Sequence, residues 1–359
     1  MLFRLPMLMP IFGVCIVLCS TSAMALSITN VTTNKQHFSP RKGEQFYVRY
    51  TLDEKANSRL LIFDERDHRV RTIELGHKSA GSYGLTWSGK SDDGRLVPDG
   101  AYYYVIEGEN EAGDRAAYDL TDMTLPQTEV IHQNRWDPIT GRLTYVLRRP
   151  SRVSIRMGLK DGGPLLNTLI NWVARDRGKH VEIWDGWDAS NAINIARHPN
   201  LDISILAYPL SENAILVGSP VSRDEWMTGL TDHEKRVHKL QHKKKMVAHS
   251  QQSVAMRGDF QVSFELPGSL KKTKEGVPIL AKRTPLRITV DDPGRAVMQR
   301  FEQSFFVDGK YLQETEAGYL PMTWYCDPTK LGPGIHYITT NIRSYEGNFG
   351  MGTLKILVE

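Results

Sequence analysis

Apolar residues fall at every second position through much of this chain. In 44–52 (EQFYVRYTL), Phe46, Val48, Tyr50 and Leu52 share one face and polar residues take the other, the pattern of a half-buried strand. Segments 59–63, 70–75, 83–87 and 102–106 continue it, separated by clusters of Gly, Pro, Asp and Ser that favour turns. The pattern returns at 142–147, 152–157, 165–172 and 203–208. It returns again at 260–266, 286–290, 301–307, 320–324, 337–343 and 354–358. Val307-Asp308-Gly309-Lys310 sets Asp-Gly between two strand patterns, the signal of a tight hairpin. Many short strands with polar turns between them predict an all-β fold of tandem sandwiches.

One stretch organises the rest. Residues 80–106 (AGSYGLTWSGKSDDGRLVPDGAYYYVI) read as strand, turn, strand, with Trp87 large enough to anchor a thin core. Gly89, Gly94 and Gly100 stand where turns need a positive φ or a close backbone approach. A partial copy follows as RGKHVEIWDGWDASN (177–191), with Trp184 and Gly186 in the places of Trp87 and Gly89. Tyr50 and Tyr145 lie 95 residues apart and Trp87 and Trp184 lie 97 apart, so this is an internal repeat. What recurs is what packing and turning require; Asp92–Gly94 becomes Ala189–Asn191.

Two sharper readings compete here. Asp92, Asp93 and Asp99 could hold calcium, but the EF-hand spacing is absent and turn chemistry explains them. Trp187, beside Trp184, Asp185, Asp188 and His180, could form a glycan platform with Trp136 or Trp226. The plainer reading makes Trp184 core and Trp187 a half-exposed cover.

Segment 224–252 breaks the β pattern. It has good helix formers, a Thr231/Glu234 capping box and a thin stripe of Leu230, Val237, Leu240 and Val247. Residues 232–249 carry six Lys or Arg against two acids. This predicts a short basic linker, helical or extended. His238 and His242 are four apart and would share a helix face, but no further ligand completes a metal site. With Lys243, Lys244 and Lys245 they form the candidate contact for an anionic partner.

Composition narrows the class. Arg4, an apolar run over 7–18 and Ala23-Met24-Ala25 predict a cleaved signal peptide covering 1–25. No later segment reaches the ~18 apolar residues of a membrane span. Cys326 is then the only cysteine, so no internal disulfide is available to the mature chain. Beside Trp324 it reads as a small buried residue. The net charge of +4, with both signs interspersed, argues against nucleic acid. No haem, phosphate-loop or nucleophile-elbow motif occurs, so no cofactor and no catalysis are expected. The units expected are sandwiches at 26–124, 125–222 and 257–359, with the linker at 223–256.

The order FSP, YTL, LLIFDERDHRVRTI, AGSYGLTWSGKSDDGRLVPDGAYYYVIEG resembles the FlgD-like immunoglobulin-like domain family over residues 39–107. His68 departs from the turn glycine of that pattern. The family's namesake is a flagellar hook-capping scaffold that is exported without a cleaved signal. The resemblance therefore implies a fold, and a non-catalytic module, rather than a flagellar role. The second unit resembles the first more weakly. The third, with FFVDGKYLQE and LGPGIHYITTNIRSYEG, resembles bacterial immunoglobulin-like surface domains, in which His336 is a packed strand residue. The expectation is an exported scaffold of the envelope or surface that docks a protein partner, with glycan binding as the alternative.

Overall fold

The computed structural model describes residues 26–65, 68–120, 128–218, 259–268, 270–294, 296, 300–345 and 347–359. The predicted signal segment and the basic stretch, with Trp226, His238, His242, Lys243, Lys244 and Lys245, lie outside the described residues. The fold is all-β, as the alternation predicts.

The first unit contains β1 (Ile28–Thr33), β2 (His37–Phe38), β3 (Phe46–Leu52), β4 (Ala56–Phe63), β5 (Arg69–Lys78), β6 (Gly81–Trp87), β7 (Gly100–Glu109) and β8 (Arg115–Tyr118). A sheet of order β1-β3-β6 packs against one built on β7, β4 and β5. Burial alternates strictly along β3, as its sequence requires. Residues Ala101 to Ile106 of β7 are all buried, so both faces of that strand are covered. One face joins Phe46, Tyr50, Leu60, Ile62 and Trp87 in the core. The other meets the second unit.

The second unit repeats the plan. Its strands are β9 (Glu129–Val130), β10 (Asn134–Asp137), β11 (Arg142–Leu147), β12 (Ser151–Leu159), β13 (Leu165–Arg175), β14 (Gly178–Ile183) and β15 (Leu201–Pro209). The sheets run β10-β11-β14 and β13-β12-β15-β9 around Leu143, Tyr145, Met157, Ile170 and Trp184.

The chain then does something its local pattern does not announce. After β15 it turns back and lays β16 (Ala214–Val217) into the first unit. There β16 runs antiparallel to β7 and parallel to β2, and all four of its residues are buried. The second sandwich is thus inserted between β8 and β16 of the first. Residues 214–217, expected within the second unit, pair with the first.

Buried polar contacts fix the join. The Arg152 guanidinium, 1% exposed, donates to Glu65 Oε2 at 2.9 Å and to the Tyr103 hydroxyl at 3.1 Å. His37 Nδ1 lies 3.0 Å from Asp176 Oδ2. Asp259 ties the second unit to the third. It accepts from Arg156, from Thr168 Oγ1 at 2.6 Å and from the Phe349 amide, and Arg156 also stacks over the Phe349 ring.

The third unit comprises β17 (Phe260–Glu265), β18 (Ile279–Leu280), β19 (Thr284–Val290), β20 (Phe301–Val307), β21 (Lys310–Thr315), β22 (Met322–Cys326), β23 (Gly334–Ser344) and β24 (Phe349–Val358). β17 changes sheets along its length, pairing parallel with β24 at 260–261 and antiparallel with β19 at 262–265. At the β20–β21 hairpin Asp308 and Gly309 have φ of 50° and 77°, the primed-turn geometry that Asp-Gly favours.

Candidate functional site

The two Trp-containing loops are the same structure built twice. The Trp87 indole N–H donates to Lys90 O at 2.8 Å, and Trp184 donates to Trp187 O at 2.9 Å. Each loop closes with an amide returning to the glycine: Val97 N to Gly89 O, and Ile195 N to Gly186 O. Gly94 N bonds Ser91 O, and Asn191 N bonds Asp188 O. Asn191 holds φ 54° where Gly94 holds 81°, because asparagine tolerates the left-handed region. The partial copy keeps its turn.

Packing explains the retained glycines. Gly89 has φ +73°, and a Cβ there would come 2.2 Å from Pro40 Cγ. Gly186 has φ +82°, and its Cβ would meet Ala196 Cβ at 2.5 Å. Gly186→Ala therefore combines backbone strain with a clash against a loop held at both ends. A loss of about 2–4 kcal/mol is expected in urea unfolding of the full chain. Gly94→Ala, where a Cβ meets nothing within 4 Å, bears only the strain term and should cost less. Gly100, at φ +159°, is extended and marks the start of β7, where Glu65 Oε1 accepts from the Ala101 amide.

The acids are taken up locally. Asp93 accepts from Ser91 and Arg95, and these bonds, Arg95 first, pull its carboxyl down to about 2. Asp92 accepts from the Thr72 amide, and Asp99 faces Arg41. In the copy, Asp188 is buried and accepts from the amides of Ser190, Ala192 and Ile193.

Trp187 is 39% exposed and occupies the place of Lys90. Trp136 is half-buried on β10; it packs 5.0 Å from Trp184 and donates its N–H to Ala196 O. His180 stacks on Tyr145 and contacts Asp176 O at 2.7 Å. Cys326 is buried, and burial pushes its thiol up to about 11. His336 is held by Asp308 at 2.7 Å, which raises its pKa.

The His180 region gives a pH prediction. Burial depresses the His180 pKa, and the His37 hydrogen bond depresses that of Asp176. Below the ordinary imidazole value of about 6.5 the unfolded chain takes up a proton that folded His180 resists. Its stabilising effect is present above that value and is lost as pH falls toward the depressed one. Asp176 acts in a lower window: its contribution holds above the ordinary carboxylate value and fades as pH falls through its lowered one. The His180 step should therefore lower thermal stability between about pH 7.5 and pH 5.5, opposed by His336, whose raised pKa adds stability as pH falls. His180→Gln should flatten that first step while leaving the lower one.

A notch beside Trp136 distinguishes the two units. In the first, β7 is covered along its outer edge by β8 at 106–109 and by β16 at 100–103. In the second, β15 takes β9 at 206–207 and, among the described residues, no strand between Leu201 and Ser204. A concavity of about 480 Å³ lies there, lined by residues that include Trp136, Lys160, Arg197, Leu201 and Ile203. This feature was missed in the sequence. Among the described residues, no counterpart of β16 follows β15.

Comparison with known proteins fits the first unit. Residues 36–112 match the family model of the FlgD Ig-like domain. This segment is a FlgD Ig-like domain. The basal-body rod modification protein FlgD of Salmonella typhimurium is 38% identical over 60 residues, 16% of this chain and 26% of that protein. The same protein of Salmonella typhi matches equally. The match thus spans about a quarter of the curated relatives. Among solved structures, FlgD from P. aeruginosa is 22% identical, covering 26% of this chain and 65% of that one, with a TM-score of 0.20. The fibronectin(III)-like modules of Clostridium thermocellum CbhA are 10% identical over 92% of this chain and 94% of theirs, TM-score 0.20. A tetra-tandem repeat from a large adhesion protein is 15% identical over 93% and 74%, TM-score 0.20. The FlgD Ig-like domain ends near the close of β7, so β8 and β16 lie beyond it.

Proposed function

We propose that this chain is an exported, non-catalytic scaffold of the bacterial envelope or surface that docks a protein partner through its sandwiches. The observation that carries this reading is the insertion of the second unit between β8 and β16 of the first, where β16 pairs with β7 and β2. A strand shared between two sandwiches, with Arg152–Glu65 buried across the join and Asp259 across the next, holds modules at fixed separation. Fixed separation serves a spacer or docking frame. The side chains most able to do chemistry have structural duties: Cys326 is buried, and His336 and Asp188 hold turns. The glycan alternative draws on Trp187; Trp136 already gives its N–H to Ala196 and packs against Trp184.

The test is capture from envelope extract with the mature chain as bait, with and without residues 232–249. Recovery of one partner that competes with untagged protein is expected. Recovery of no specific protein by either bait contradicts the reading.

A further inference from the structure

The same strand position is filled in the first unit and, among the described residues, open in the second. Tyr104 lies opposite Ile62, and Ile203 lies opposite Met157, which is 95 residues on, the offset that separates Tyr50 from Tyr145. Tyr104 and Ile203 are therefore equivalent. In the first unit the Tyr104 amide donates to Asn213 O at 3.1 Å, and β16 continues the pairing through Ile215 opposite Tyr102. In the second, Ile205 O accepts from the Ile131 amide, so the outward side of β15 is fixed at that residue. Strand alternation then turns the Ile203 N–H and C=O to the same side, away from β12. Among the described residues nothing pairs with them there.

The surroundings differ in a way that says what would fit. β16 lies in an apolar setting and is itself Ala-Ile-Leu-Val. It also pairs with Phe38, which is 1% exposed and packs on Trp87. The open notch has Trp136, Leu201 and Ile203 for apolar contact, and it is rimmed by Lys160 and Arg197. Neither cation forms an ion pair among the described residues. Asp202 is the one acid at the rim of this concavity. The rim is also held in place: Lys160 N bonds Asn200 O, and Trp136 Nε1 bonds Ala196 O.

We infer that this notch accepts an extended segment of a partner protein as an added strand on β15, with an apolar centre flanked by carboxylates. β16 in the first unit is the internal template: four residues, antiparallel, apolar. The carboxylates answer Lys160 and Arg197. Backbone pairing at Ile203 supplies geometry, and the contact with Trp136 supplies apolar burial. The inference rests on the protein-docking reading and names the surface it uses.

The test uses the full chain and a defined library of eight-residue peptides. Each peptide has two glutamates at both ends and every Ala, Ile, Leu and Val combination in the four central positions. Saturable binding of a subset is expected, with slowed exchange of the Ile203 amide. Lys160→Ala combined with Arg197→Ala should weaken it about tenfold, and raised salt should do the same. N-methylation of alternate peptide amides, in the register facing β15, should abolish binding while the other register is tolerated. No saturable binding from the library, binding without protection at Ile203, or indifference to both methylation registers overturns the inference. Partner capture by the Lys160→Ala, Arg197→Ala chain at undiminished yield would overturn it too, while leaving the docking reading standing.

Discussion

Replacing Arg152 with alanine should cost about 3–5 kcal/mol, because it strands a charge at the join between two sandwiches. The guanidinium is almost wholly buried, and Glu65, 18% exposed, faces it at 2.9 Å. Burial alone would favour neutral arginine; the Glu65 carboxylate and the Tyr103 hydroxyl outweigh it and raise the Arg152 pKa. Without the cation, Glu65 keeps its bond from the Ala101 amide but loses its counter-charge. Arg152→Met paired with Glu65→Gln should recover most of the loss, since removing both charges also removes the desolvation cost of each. Chemical unfolding of the two variants beside the unaltered chain decides this. Equal destabilisation by the single and double changes would contradict this account, because the double change removes the stranded charge.

The second large effect lies in β16. Ile215 is fully buried against β7, and Ile215→Ala should remove about 2–5 kcal/mol through lost contact and a residual cavity. Its consequence is non-local. The cost should appear as unfolding of the FlgD Ig-like domain, more than one hundred residues earlier in sequence. Ile139→Ala, at a hairpin tip that is 83% exposed, should change stability by less than about 0.5 kcal/mol. Limited proteolysis read by mass spectrometry separates the cases. Cleavage within 36–112 should accelerate for Ile215→Ala and stay unchanged for Ile139→Ala. Accelerated cleavage confined to 128–210 would contradict the assignment of β16 to the first unit.

Much of the fold was legible from alternation. The strand at 142–147 and that at 301–307 coincide with β11 and β20, and the Asp308-Gly309 hairpin forms as its residue types require. The repeat was legible because Trp and Gly are irreplaceable where an indole caps its own loop and a Cβ would clash. Other features were not. Ala214–Val217 is four apolar residues with no period, and its partners lie at 37–38 and 100–103, where no local pattern points. β10 and β14 mix polar and apolar residues because each lies half-exposed in a small sheet. The tolerance of Asn191 for a positive φ hid the persistence of the turn. At the candidate site, Trp187 was visible as the residue that only the copy carries. The notch was invisible, since it is a strand position that, among the described residues, is filled in one unit and open in the other.

The central claim is that one strand position is closed in the first unit and, among the described residues, open in the second. Residue-resolved hydrogen exchange of the full chain reads it directly by comparing the amides of Tyr104 and Ile203. With Tyr104 bonded to Asn213 O and Ile203 facing the notch, Tyr104 should exchange on the order of a hundredfold or more slowly than Ile203. Equal protection at the two amides, or slower exchange at Ile203, would contradict the account.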